Sequence, residues 1–170
     1  MPRSIVAVLL LALISCGPRK TPGTLTAELV TQSRAEIVKM LDDWHDAASR
    51  ADEERYFSHF AGQAVFLGTD ATERWDLPAF RAYAHPIFSK GKAWSFHAVR
   101  RDITIGASGV AWFDEALETL NLGPARGSGV LLNGPDGQWK IAQYNLSIPI
   151  PNERFDEVKK LLESPRPATH

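Results

Sequence analysis

The strongest constraint in the chain is a change of pattern at Gly91. Ahead of it, apolar residues recur at three- and four-residue spacing. Behind it come four runs rich in apolar, β-branched and aromatic residues: Trp94 to Ile105, Val110 to Thr119, Ala125 to Leu132 and Trp139 to Ile148. NLGP (121–124) and NGPDG (133–137) separate the last three runs, and such punctuation marks hairpin turns. Consecutive strands joined by short turns pair antiparallel. Helices followed by a run of antiparallel strands define an α+β fold. A curved, mostly antiparallel sheet wrapped around a long N-terminal helix makes a cone with a hollow end.

The first half supplies the helices. Leu25 to Ser49 reads as one amphipathic helix, with Leu29, Ile37, Met40, Leu41, Trp44 and Ala48 near one face. Glu28 in its first turn suits the positive end of the helix dipole. Asp52 is a good N-cap for a second, short helix carrying Tyr56, Phe57 and Phe60. Ala64 to Leu67 reads as a short strand. Asp76 caps a third helix that has Pro78 in its first turn and carries Leu77, Phe80, Tyr83, Ile87 and Phe88. Pro149 and Pro151 end the last strand, and Glu153 to Leu162 reads as a closing helix.

A length of 170 residues suits one folded domain. The formal net charge is −1 and no run of Lys and Arg occurs, which argues against a nucleic-acid partner. Arg3 and the apolar run Ile5 to Ile14 fit a secretory signal; the run is shorter than the roughly 20 residues a spanning helix needs. Cys16 is the single cysteine, so the mature domain has no disulfide and no thiol nucleophile. Leu13-Ile14-Ser15-Cys16-Gly17 resembles a bacterial lipobox. That resemblance implies cleavage before Cys16, lipidation of Cys16, and a membrane-anchored protein of the cell envelope facing the periplasm. Gly17 in place of Asp leans toward the outer membrane. The expected organisation is a signal peptide over 1–15, a lipidated Cys and tether over 16–26, a domain over 27–163 and a disordered tail over 164–170.

Candidate chemistry concentrates in two places. FLGTDATERW (66–75) sets Asp70, Thr72, Glu73 and Trp75 where a strand ends. A turn and helix cap explain the polar residues, but a turn does not need Trp75, which favours a pocket rim. A carboxylate near a buried indole is desolvated and suited to proton transfer, making Asp70 a candidate catalytic acid and Glu73 and Trp75 candidate ligand contacts. Asp114 and Glu115 are adjacent on a strand and must face opposite ways. One set is Trp112, Asp114 and Ala116; the other is Phe113, Glu115 and Leu117. Whichever set is inside, one carboxylate is flanked by apolar groups and needs a partner. The nearest supplier is Arg126, on the strand expected to pair with 110–119. That pair is either structural or an acid with an Arg that fixes an anionic substrate.

Five Trp occur; Trp44 fits the helix core, and Trp75, Trp94, Trp112 and Trp139 are candidates to line a cavity. Gly127-Ser128-Gly129 does not continue as a dinucleotide fingerprint, because Leu132 occupies the third glycine position and a strand follows. The five His (45, 59, 85, 97 and 170) lack metal-site spacing, and no G-x-S-x-G elbow occurs. Neither a metal nor a cofactor is expected.

The element order resembles the NTF2-like superfamily, and specifically its SnoaL-like branch. The matching pieces are FLGTDATERW, AWFDE (111–115), RGSGVL (126–131), a strand-final W-K-I-x-x-x-x-L-S (Trp139, Lys140, Ile141, Leu146, Ser147) and SIPIPNE (147–153). The resemblance implies a conical α+β fold with a pocket between sheet and helices. Relatives include ketosteroid isomerase, polyketide cyclases, dehydratases, transport factors and oligomerisation domains, so fold alone does not assign function. Many relatives carry His-x-His-x-Ser in the last strand; here the positions are Gln143, Asn145 and Ser147, which leaves a His-centred mechanism unsupported. Three readings stand. One is a pocket for a small, partly apolar molecule, with Glu73, Trp75, Trp112, Glu115, Arg126, Tyr144 and Asn145 as contacts. Another is an acid/base enzyme of isomerase, dehydratase or cyclase type, using Asp70 or Asp114 with Tyr144, Asn145 or Arg126 holding negative charge. The third is an interaction module that forms a homodimer through the sheet face.

Overall fold

The computed structural model describes residues 25–164. The expected signal peptide (1–15), Cys16, the expected tether up to residue 24 and the expected tail from residue 165 lie outside the described residues.

Helix α1 (Ala27–Ser49) starts at Thr26, whose hydroxyl accepts from the Leu29 N–H at 3.2 Å, and Glu28 lies in its first turn. Its stripe of Ile37, Leu41, Trp44, Ala47 and Ala48 is buried. Leu29 departs from expectation: it is 46% exposed, beyond the well-packed part of the stripe. Helix α2 (Glu53–Ser58) is capped by Asp52, as expected, and helix α3 (Leu77–Phe88) by Asp76, whose carboxylate accepts from the Ala79 N–H at 2.9 Å.

The six strands are β1 (Phe60–Leu67), β2 (Arg74–Asp76), β3 (Phe96–Ile105), β4 (Val110–Thr119), β5 (Ala125–Asn133) and β6 (Trp139–Ser147). They form one sheet in the order β2-β1-β6-β5-β4-β3. All pairs are antiparallel except β1 with β6. Two details differ from the sequence expectation. Phe60 is the first residue of β1 rather than part of α2, because it pairs opposite Ile141 of β6 and both side chains enter the core. The three-residue strand β2 was not anticipated; Arg74-Trp75-Asp76 is too short to show a period, and only its pairing with Val65, Phe66 and Leu67 defines it.

Register shifts between Ala98 and Arg100 and between Val130 and Leu131 interrupt the ladders. Such bulges bend a sheet, and here the bent sheet closes on α1, α2 and α3. The core between them is largely aromatic: Trp44, Tyr56, Phe57, Phe60, Phe66, Phe80, Phe88, Phe113 and Tyr144 are all buried. A short 3₁₀ turn (Asn152–Arg154) leads to α4 (Phe155–Glu163), which has no buried residue. Among the described residues no helix is long and apolar enough to cross a membrane.

Candidate functional site

At the end of the sheet where β6 reaches Leu146, a pocket of about 290 Å³ opens between α3, the β1–β2 turn and the β4–β5 turn. Phe66, Trp75, Phe80, Trp94, Phe96 and Leu146 form its apolar walls; Thr69, Glu73, Ser95 and Asn121 add polar groups. The walls are rings held by rings. Phe66 stacks on Phe80 at 3.9 Å between centroids, Trp75 stacks on Tyr83 at 4.6 Å, and Trp94 lies parallel to Phe80 at 6.2 Å. Few oriented polar groups on a largely apolar wall is the usual composition of a small-molecule site.

The FLGTDATERW segment divides between turn and pocket. Asp70 is a turn residue: its Oδ1 accepts from the Thr72 N–H at 2.8 Å and from the Thr72 hydroxyl at 2.6 Å. Glu73 closes the same turn, accepting from the Asp70 N–H at 3.1 Å, yet it also lines the pocket. Gly68 makes room for it, since a Cβ there would fall 2.1 Å from Glu73 Oε2. Trp75 lines the pocket from β2. Among the described residues, Glu73 is the one carboxylate on the pocket wall.

A second constellation lies deeper, around Glu115. Its side chain is fully buried. His45 Nε2 lies 2.8 Å from Oε1, the Tyr144 hydroxyl donates to Oε1 at 3.2 Å, and Arg101 Nε donates to Oε2 at 2.8 Å. Arg101 also donates to Asp42 on α1 at 2.8 Å. Burial alone would push the Glu115 carboxyl up; the hydrogen bond and charge of His45 and the charge of Arg101 more than offset it and hold the group below the ordinary carboxylate range. Burial and the Glu115 charge push the Tyr144 phenol well above its ordinary range. Gly127 passes directly over the pair, where a Cβ would sit 2.2 Å from the Tyr144 hydroxyl and 2.8 Å from Glu115 Oε1. The glycine-rich stretch of β5 therefore exists for packing clearance. Phe66 and Phe96, on the pocket wall, touch Tyr144 and His45 respectively, with centroids 5.5 and 6.2 Å apart.

Several expected site residues are not brought to the pocket. Asp114 lies on the outer face of the sheet, where Arg100 donates to it at 3.1 Å. Trp112, on the same face, is 50% exposed and covers Gly106. Arg126 does not partner Glu115. It stands opposite Ala116 and is exposed, whereas Glu115 stands opposite Gly127 on one side and Arg101 on the other. Strand alternation puts Asn145 on the face opposite Tyr144. Of the expected residues, Glu73 and Trp75 meet at the pocket and Glu115 and Tyr144 meet below it. His45 and Arg101 were missed; the sequence signal for His45 was its place between Trp44 and Ala48 on the buried stripe of α1. Among the described residues no group of three or more His, Cys, Asp or Glu is placed to hold a metal ion.

An α+β cone of three helices against a bent six-stranded sheet, with an aromatic pocket at one end, is the NTF2-like architecture, and solved structures align with it. An NTF2-like protein of unknown function from Pseudomonas putida KT2440 superposes with a TM-score of 0.62 at 14% identity, covering 72% of this chain and 91% of that one. A cystatin-like-fold domain of unknown function from Nostoc punctiforme PCC 73102 gives 0.60 at 18% identity, over 80% and 89%. A protein provisionally named a scytalone dehydratase, from Novosphingobium aromaticivorans DSM 12444, gives 0.60 at 13% identity, over 71% and 86%. At these identities the likeness is one of fold. None of the curated proteins matches the sequence. The model of the SnoaL-like domain matches residues 37–151, and the chain belongs to that family.

Proposed function

We propose that this protein is an exported, lipid-anchored SnoaL-like domain that binds a small, partly apolar molecule in the aromatic pocket. The observation that carries the reading is the pocket itself: about 290 Å³ of space walled by Phe66, Trp75, Phe80 and Trp94, with Glu73 at its edge. Indole and phenyl rings offer broad apolar contact, and Glu73, Ser95 and Asn121 can orient a polar group on the ligand. The lipobox-like segment around Cys16 supports the anchor.

The test uses N-phenyl-1-naphthylamine, a neutral aromatic probe whose emission rises in apolar surroundings. Saturable binding is expected, with energy transfer from Trp75 and Trp94. Leu146→Trp, which fills the pocket, abolishes it; Trp112→Ala, on the outer face, leaves it intact. Binding unaffected by Leu146→Trp would sink the proposal.

Acid/base catalysis is the second reading, and the position of Glu73 favours it over Asp70 and Asp114. The provisional dehydratase name of a relative in fold adds support. Carboxyl titration by NMR decides: a Glu73 pKa well above the reference of about 4 marks a proton-transfer group, and a value at or below it removes this reading.

A further inference from the structure

The aromatic pocket carries charge of one sign. Among the described residues on its wall, Glu73 is the one charged side chain, and no Lys, Arg or His occurs there. The cations nearest in the chain are Arg74, Lys92 and His97. Each adjoins a wall residue, yet none lines the pocket and all three are exposed. Arg74 and His97 alternate with Trp75 and Phe96 along β2 and β3, which turns them to the other face of the sheet.

Protein groups claim little of that charge. Glu73 Oε2 accepts from the Asp70 N–H at 3.1 Å. Oε1 receives no hydrogen bond among the described residues, and neither oxygen enters an ion pair with them. The residue is half-buried. A ligand that fills the pocket displaces water from beside this carboxylate. A neutral ligand would leave the charge desolvated and unpaired, and an anion would add repulsion; both are costly. A cation replaces the lost water with an opposite charge. Aromatic rings add to this, since they attract a cation over their faces, and more strongly once water is excluded.

We propose that the pocket selects a small monocation: a protonated amine or quaternary ammonium joined to an apolar, ring-sized body. The proposal rests on the reading of the pocket as a small-molecule site and adds the charge of its ligand. The ammonium group sits at the Glu73 edge. The apolar body lies against Trp94, Phe96 and Leu146.

The test compares phenethylamine, 2-phenylethanol and phenylacetate, which share a benzyl body and are respectively cationic, neutral and anionic at pH 7. Each is titrated into the intact protein, and the Trp75 and Trp94 indole signals are followed by ¹H–¹⁵N NMR. Phenethylamine is expected to bind about tenfold more tightly than the alcohol, and phenylacetate more weakly than either. Glu73→Gln lowers the phenethylamine affinity about tenfold and raises that of phenylacetate, so the order by charge collapses. Asp70→Asn removes a charge from the same turn but not from the wall, and keeps the order. The proposal is overturned if the alcohol or phenylacetate binds as tightly as the amine. It is also overturned if Glu73→Gln keeps the preference, or if Asp70→Asn abolishes it equally. If none of the three moves the indoles at millimolar concentration, the proposal falls, and N-phenyl-1-naphthylamine decides what falls with it. Saturable binding of that neutral probe would leave the pocket a ligand site without cation selectivity; no binding would overturn the pocket reading as well.

Discussion

The Glu115 cluster and the Glu73 pocket each set one carboxylate beside aromatic rings, and they differ in what else reaches it. Glu115 is met by His45, Arg101 and Tyr144, is fully out of solvent, and leaves Gly127 no room for a side chain. Glu73 is met by one backbone N–H of its own turn and faces open space. A carboxylate whose every oxygen is claimed by protein has nothing left to offer a ligand; it holds α1, β3, β4 and β6 together. A carboxylate held by a single local bond beside unfilled apolar space is free to orient one. On the proposed function, the two acids divide stability from binding.

The largest effect that would break this division is expected at Glu115. Glu115→Ala strands Arg101 and His45 in the interior and should cost about 3–5 kcal/mol of unfolding free energy, read by urea denaturation. A loss below about 1 kcal/mol would mean the cluster does not hold the fold. Acid should act on the same group. Because its folded pKa is depressed, Glu115 contributes stability above its unfolded value, and that contribution is lost as pH falls through the carboxylate range toward the folded value. The urea midpoint of the native protein should drop on acidification more steeply than that of Glu115→Gln. Tyr144 acts at the other extreme: its raised folded pKa gives stability that is present below about 10 and lost as pH rises further.

Gly127→Ala should cost about 1–3 kcal/mol through the clash with Tyr144 and Glu115. Gly62→Ala, also in a strand but with open space around the added carbon, is the matched control and should change little. Glu73→Gln should shift unfolding by under about 1 kcal/mol, because its bond is local and partly exposed, while changing probe binding at the pocket. The smallest effects belong to the outer face, where Asp114→Asn and Arg126→Ala should each stay within about 0.5 kcal/mol and leave binding unaltered. A binding defect in either would return those residues to the site.

Much of the fold was legible because it rests on local signals. Asp52, ahead of Tyr56 and Phe57, and Asp76, ahead of Leu77 and Phe80, each cap a helix; the switch of period at Gly91 marks where helices give way to the meander. Strand β2 and the parallel β1–β6 pair were not legible, since both are decided by contacts between distant segments. The site divides along the same line. Glu73 and Trp75 were readable from their position after β1. The opposite orientations of Asp114 and Glu115 were also readable, but not which faced inward, because both strand faces mix acidic and apolar residues. The partner of Glu115 was misjudged because β4 has two neighbours. Arg126 on β5 looks outward, and the cation comes from Arg101 on the strand before. His45 comes from a helix still further away, and no spacing rule links it to β4.

The parallel pairing of β1 with β6 has a consequence for how the molecule comes into being. The first strand of the chain is completed by the last, so the sheet cannot close around its helices until almost the whole domain is available to fold. Closing so large a loop carries an entropic toll and slows folding relative to proteins built from neighbouring contacts. Until β6 is in place, β1 lacks its central neighbour. A truncation before Trp139 should therefore yield not a smaller cone but a polypeptide that never acquires one.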